Sequence, residues 1–216
     1  MSRPSVILVF LGLVGYSTSA MSDGTNPLHL DAYINNPFYV TGKINSSAPS
    51  HHTPYGGDLS LDVKPATGTA AGAFVYFKAT PRLTGTSVRG RIVSGGSNGL
   101  VLACNKLSDG GYRLKIEIQQ KKGTGSWVNT GWVTYAHLSG ISITRANNTY
   151  VYNGSSIGYI SSLYGGTCST GPHIHMELWN KVHYSGYVSR SVGSTFAASS
   201  ALACVGGGRL AEDSKC

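Results

Sequence analysis

Apolar and polar residues alternate with period two through much of the middle of this chain. Between 112 and 119, Leu114, Ile116 and Ile118 share one parity while Arg113, Lys115 and Glu117 share the other, as in a strand with one buried face. Residues 73–80 (AFVYFKAT) form a strongly β-forming run, with shorter runs at 88–93, 99–103 and 155–160. A turn over 121–125 leads into Trp127-Val128 and then 132–138, which predicts a hairpin that carries His137 at its end. Leu59-Ser60-Leu61-Asp62-Val63 predicts a further strand, 147–154 a polar loop, and Tyr164-Gly165-Gly166 a turn. Helical periodicity nowhere exceeds about three turns. With 29 glycines and 12% charged residues, the chain reads as all-β, and residues 181–216 are expected to wrap the sheet.

One predicted strand carries chemistry. In the run Ser169-Thr170-Gly171-Pro172-His173-Ile174-His175-Met176-Glu177-Leu178, alternation turns His173, His175 and Glu177 to one face and Ile174, Met176 and Leu178 to the core behind them. Two other segments hold similar groups: Ser50-His51-His52 ahead of the Asp62 strand, and Tyr135-Ala136-His137-Leu138. Asp62 interrupts an apolar strand in a chain with only nine acids. A carboxylate buried there would be costly unless paired with a cation or a metal. Hydrolytic zinc sites take three His or carboxylate ligands and keep a fourth position open, and these clusters supply that donor chemistry.

Length and the chain ends narrow the context. The 216 residues, 41% of them hydrophobic, suffice for one well-buried domain. Arg3, an apolar run over 6–14, and Ser17-Thr18-Ser19-Ala20 predict a secretion signal cut after Ala20. That run is too short to cross a bilayer, which takes about 20 residues, so no membrane span is expected and the mature protein should be extracellular. Without residues 1–20 the chain has 16 basic and nine acidic side chains, a formal charge of +7 that favours anionic partners such as bacterial envelopes. The cations are scattered, with Lys121-Lys122 the one adjacent pair, and no nucleic-acid partner is expected. Asn45, Asn147 and Asn153 each begin a glycosylation sequon. Four cysteines fit an oxidising compartment and allow three pairings. The short Gly-rich loop between Cys204 and Cys216 favours that pair, which leaves Cys104 for Cys168; a pair of free thiols is the alternative.

Taken in order, His51-His52, Ser60-Leu61-Asp62, Tyr135-Ala136-His137-Leu138 and the unbroken Ser169–His175 run resemble the lysostaphin/LytM-type zinc endopeptidases, over about residues 50–180. The wide spacing from the first histidine to Asp62 makes the beta-lytic (staphylolytic) branch the nearest. The resemblance implies an antiparallel sheet or sandwich core with long loops, and one Zn²⁺ per chain. Asp62, His175 and either His52 or His51 match the metal ligands, with His52 preferred for its place beside the Thr53-Pro54 turn. His137 and His173 match the two catalytic imidazoles that are not ligands. Glu177 is a candidate to orient a ligand ring, and Tyr135 and Tyr55 are candidates for an oxyanion-assisting tyrosine. Two departures stand out: no Gly adjoins the first histidine, and Ala136 precedes His137 where an aromatic or Gly is common. The implied protein is a monomeric, secreted metalloendopeptidase cutting peptidoglycan peptides at Gly-containing bonds. It has a signal over 1–20 and a single domain over 21–216, with the core over about 50–180 and a disulfide-tied extension over 181–216. Two other readings stay open: a zinc-bound, catalytically silent binding module of the same fold, and a carbohydrate-binding or structural β-sandwich in which the motif is coincidental.

Overall fold

A computed structural model of the chain describes residues 31–47, 59–94, 101–139, 148–166, 168–180, 185–187 and 192–206. Fifteen strands run through these residues: β1 (Asp31–Asn35), β2 (Gly42–Ser47), β3 (Leu59–Pro65), β4 (Phe74–Phe77), β5 (Ala79–Pro81), β6 (Thr86–Ile92), β7 (Val101–Leu102) and β8 (Tyr112–Lys122), then β9 (Val128–Ser139), β10 (Tyr150–Val151), β11 (Ser155–Ile160), β12 (Ile174–Asn180), β13 (Ser185–Tyr187), β14 (Thr195–Phe196) and β15 (Ala201–Gly206). Among the described residues one 3-10 turn, Leu107–Asp109, interrupts them. The all-β expectation therefore holds. Among the described residues no helix is long and apolar enough to cross a membrane.

The larger sheet has the order β10-β6-β8-β9-β12-β3-β2-β14, with β11 joining β4 to β9 and β7 pairing β8. A second sheet has the order β13-β15-β1-β5, and the pairings in both are antiparallel. The predicted hairpin is β8–β9. The region past 181, expected to wrap the sheet, contributes β13 and β15 to the second sheet and β14 to the edge of the larger one. Its predicted Cys204–Cys216 bond lies outside the described residues.

Alternation decides which face of the large sheet is dry. Leu114, Ile116 and Ile118 of β8, Val133 and Tyr135 of β9, Met176 of β12 and Val63 of β3 are fully buried in one cluster. Ala32 and Ile34 of β1 and Leu202 and Ala203 of β15 join the same cluster, so the second sheet covers the large sheet's inner face. Each such aliphatic side chain contributes about 1.5–3 kcal/mol when fully buried. The opposite face carries Arg113, Lys115, Thr134, Ala136, His175, Glu177 and Asp62, and it is there that the chemistry lies.

The 73–80 run, continuous by pattern, breaks at Lys78 into β4 and β5, which enter different sheets. Lys78 is buried at this corner. Its ammonium donates to the carbonyls of Phe38 at 2.9 Å and Ala198 at 2.6 Å, and lies 4.8 Å from the Tyr39 ring centroid. One cation thus joins three segments remote in sequence. Lys78→Met keeps the apolar stem but orphans both carbonyls, and is expected to lower stability by about 2–4 kcal/mol. The urea unfolding midpoint measures this, and an unchanged midpoint would show the ammonium to be dispensable.

Candidate metal centre and its cavity

Asp62 and His175 face each other across adjacent strands. Antiparallel pairing of β3 with β12 sets them directly opposite, and pairing of β12 with β9 sets His175 opposite Ala136. Residues in such positions share a face, and His175 Nδ1 lies 2.8 Å from Asp62 Oδ1. His173, one residue before β12 begins, falls on the same face by the two-residue period, with its Nε2 3.5 Å from the same carboxylate oxygen. Glu177, two residues on, has Oε1 3.3 Å from His175 Nε2. The shared face read for His173, His175 and Glu177 is the one observed, with Ile174 and Met176 buried behind it.

His137 reaches this group by breaking the alternation. Strict period two would turn it to the core with Tyr135, since Thr134 and Ala136 line the site. In the β8–β9 ladder, however, Tyr112 pairs with Leu138 and Arg113 with Ala136, so His137 is the extra residue of a β-bulge. Its φ of 67° is left-handed, at a cost of about 1–2 kcal/mol for a residue with a Cβ. The bulge turns the ring into the cavity, 4.8 Å from the His173 ring centroid and 6.2 Å from that of His175.

Backbone carbonyls set the tautomers of the two facing rings. His137 Nδ1 lies 3.0 Å from the Gly110 oxygen, and His173 Nδ1 lies 2.7 Å from the Gly171 oxygen. A carbonyl can only accept, so each Nδ1 carries the proton and each neutral ring keeps its lone pair on Nε2. Both carbonyls belong to loops that the Cys104–Cys168 disulfide joins. Gly110 has no room for a side chain, because a Cβ there would collide with Cys104 Sγ and His137 Nδ1.

The three imidazoles titrate differently. Burial pulls His137 down to about 4, and the neighbouring His173 adds to the fall. Burial also lowers His173, against the pull of the Asp62 charge. His175 is subject to the same burial, but hydrogen bonds to Asp62 and then Glu177 outweigh it and raise the group to about 9. Near neutrality the metal-free site therefore holds two neutral rings beside one cationic ring between two carboxylates.

Asp62, His137, His173, His175 and Glu177 line one cavity of about 230 Å³ together with Ala103, Arg113, Thr134, Ala136, Cys168 and Thr170. His51, His52 and Tyr55 lie outside the described residues. Tyr135 is fully buried on the core face of β9, where its hydroxyl has no hydrogen-bond partner among the described residues and burial raises its pKa; it does not line the cavity. Arg113 was visible in the sequence only as a polar strand position, and nothing there signalled that it lines the site.

The donor chemistry fits zinc. A buried carboxylate and a buried imidazole converge from neighbouring strands, and Glu177 on Nε2 leaves His175 Nδ1 as the nitrogen facing Asp62. Among the described residues, no group of three His, Cys, Asp or Glu side chains forms a complete ligand set. A third ligand from His51 or His52 would complete one.

Fold and site together describe an all-β protein with a buried histidine–carboxylate centre open to a cavity. No family model matches the sequence, and no curated protein matches it either. Among solved structures, a zinc-containing peptidase from Vibrio cholerae is similar, with a TM-score of 0.38 and 21% identity, over 68% of this chain and 37% of that one. The chain thus spans well under half the length of that peptidase. Likeness at this level transfers no residue's role.

Proposed function

We propose that this chain is a secreted zinc metalloendopeptidase that hydrolyses peptide bonds of bacterial peptidoglycan, at Gly-containing bonds, acting as a monomer after removal of residues 1–20. The observation that carries the reading is the meeting of Asp62, His137, His173 and His175 in one cavity, with two rings held as Nδ1–H tautomers. In this reading Asp62, His175 and His52, with His51 the alternate for the last, hold one zinc ion. When bound, zinc supplies Lewis-acid activation of water and of the scissile carbonyl. His137 and His173 then handle protons at Nε2: a neutral ring accepts one from the attacking water, and a protonated ring returns one to the departing amine. Glu177 keeps the His175 ring turned toward Asp62.

The direct test incubates the purified chain with bacterial peptidoglycan and counts new amino groups and new reducing sugar ends in one sample. New amines without reducing ends are expected, and mass spectrometry then identifies the bond. Zinc-loaded protein that yields neither product would overturn the reading in favour of a silent binding module.

His137→Asn separates chemistry from architecture, because Asn tolerates the left-handed backbone at this position. Hydrolysis is expected to fall by about 10²–10⁴-fold with zinc content unchanged. Full activity in this variant would remove His137 from the mechanism.

A further inference from the structure

On the proposed peptidase reading, we infer that Arg113 forms an anion subsite at the far bank of the cavity and selects peptides bearing a carboxylate close to the bond that is cut. The strand registers define the arrangement. Asp62, His175, Ala136 and Arg113 stand opposite one another on β3, β12, β9 and β8, forming one transverse row across the outer face. The next row is Ser60, Glu177, Thr134 and Lys115. Small side chains at Ala136 and Thr134 leave a trough, with the metal centre on one bank and two cations on the other.

The trough continues past the centre. A second cavity of about 240 Å³, lined by Val93, Ser94 and Val101, shares Arg113, Thr134 and Glu177 with the first and adds Lys115. Other cations on this face are engaged: Arg91 pairs with Glu117 at 2.8 Å, while Arg89 bonds Gln119 at 2.8 Å and stacks on Trp127 and Tyr150. Lys115 lies 5.5 Å from the Trp132 ring centroid. Arg113 is exposed and makes no hydrogen bond or ion pair among the described residues. A guanidinium offers a planar fork of donors suited to a carboxylate.

Reach sets where that carboxylate lies. Arg113 is two strands from His175, about 10 Å at the usual strand spacing, and its own side chain spans much of that gap. An extended peptide advances about 3.4 Å per residue, so the recognised group falls within about two residues of the scissile bond. Glu177 stands between the banks and lines both cavities, with its Oε1 3.3 Å from His175 Nε2.

The test uses the zinc-loaded full chain carrying His137→Asn, so that binding is read without cleavage. Four peptides serve as probes: pentaglycine extended by Glu or by Gln, each with a free or an amidated C-terminus. At least tenfold tighter binding of a carboxylate-bearing peptide over the Gln amide is expected. The Glu amide and the Gln free acid show whether a side-chain or a terminal carboxylate is recognised. Adding Arg113→Gln should bring the ratio to within twofold, with Arg113→Lys intermediate. Equal binding of all four peptides, binding of none, or a preference that survives Arg113→Gln would overturn the subsite. A preference that depends on Arg113 in a protein that cleaves no peptidoglycan would defeat the peptidase reading and leave the subsite standing.

Discussion

His175→Ala is expected to remove bound zinc and peptide-bond hydrolysis together, with a rate loss of about 10³-fold or more. His175 joins two carboxylates, its Nδ1 2.8 Å from Asp62 and its Nε2 3.3 Å from Glu177. Truncation removes one of the proposed metal donors and also the cation that faces two carboxylates in the metal-free protein. Losing one partner of a buried pair costs about 3–5 kcal/mol, so metal-free His175→Ala should melt well below the metal-free parent.

Proton linkage gives the same prediction a second readout. In the metal-free folded protein His175 is raised to about 9, against 6.5 for the unfolded chain. A raised group adds stability that is full below about 6.5 and is lost as pH climbs toward 9. The shift is worth about 3 kcal/mol. Metal-free parent protein should therefore lose stability across that window, and His175→Ala should lose the part of the slope that His175 supplies. Zinc competes with the same proton, so its apparent affinity should rise over the same range. Zinc stoichiometry and melting curves at several pH values measure all of this. Undiminished wall lysis by the variant would remove His175 from the centre.

Breaking the Cys104–Cys168 bond by a double Cys→Ser substitution is expected to reduce both stability and turnover, for separate reasons. The bond spans 64 positions of sequence, and closing a loop of that length stabilises the fold by about 4 kcal/mol in the chain-entropy model. It also joins the loops whose Gly110 and Gly171 carbonyls hold the His137 and His173 rings. With those loops released, each ring is free to leave the geometry its carbonyl imposes. Misplacement of about 1 Å at a reacting group can cost about 10²-fold. The variant should therefore turn over about 10²-fold more slowly even at a temperature where circular dichroism shows it folded. Full turnover by the folded variant would limit the bond to a stabilising role.

Period-two alternation was enough to read the all-β class, the dry and wet faces of β8, and the common face of His173, His175 and Glu177, because strand geometry is local. The break at Lys78 was not legible, since the β4–β5 corner depends on carbonyls at Phe38 and Ala198, which lie 40 and 120 positions away. Strands β1 and β15 were not legible for a similar reason: their burial comes from pairing with remote segments, β1 between β15 and β5 and β15 between β1 and β13. Tyr135 and His137 show how sharply one residue of register matters. Pattern alone puts both on the core face, whereas the bulge leaves the first there and turns the second to the cavity.

By itself, then, the sequence determined the residue types and the strand parity from which the centre is built: an acid in an apolar strand, and two histidines one residue apart. Only the tertiary structure decided their meeting. Cross-strand register set Asp62 against His175 and extended that row to Arg113, a bulge paired against β8 turned His137 outward, and a disulfide between distant loops brought up the carbonyls that orient the rings. Each of these depends on long-range pairing, whose energetics no local pattern of side chains contains.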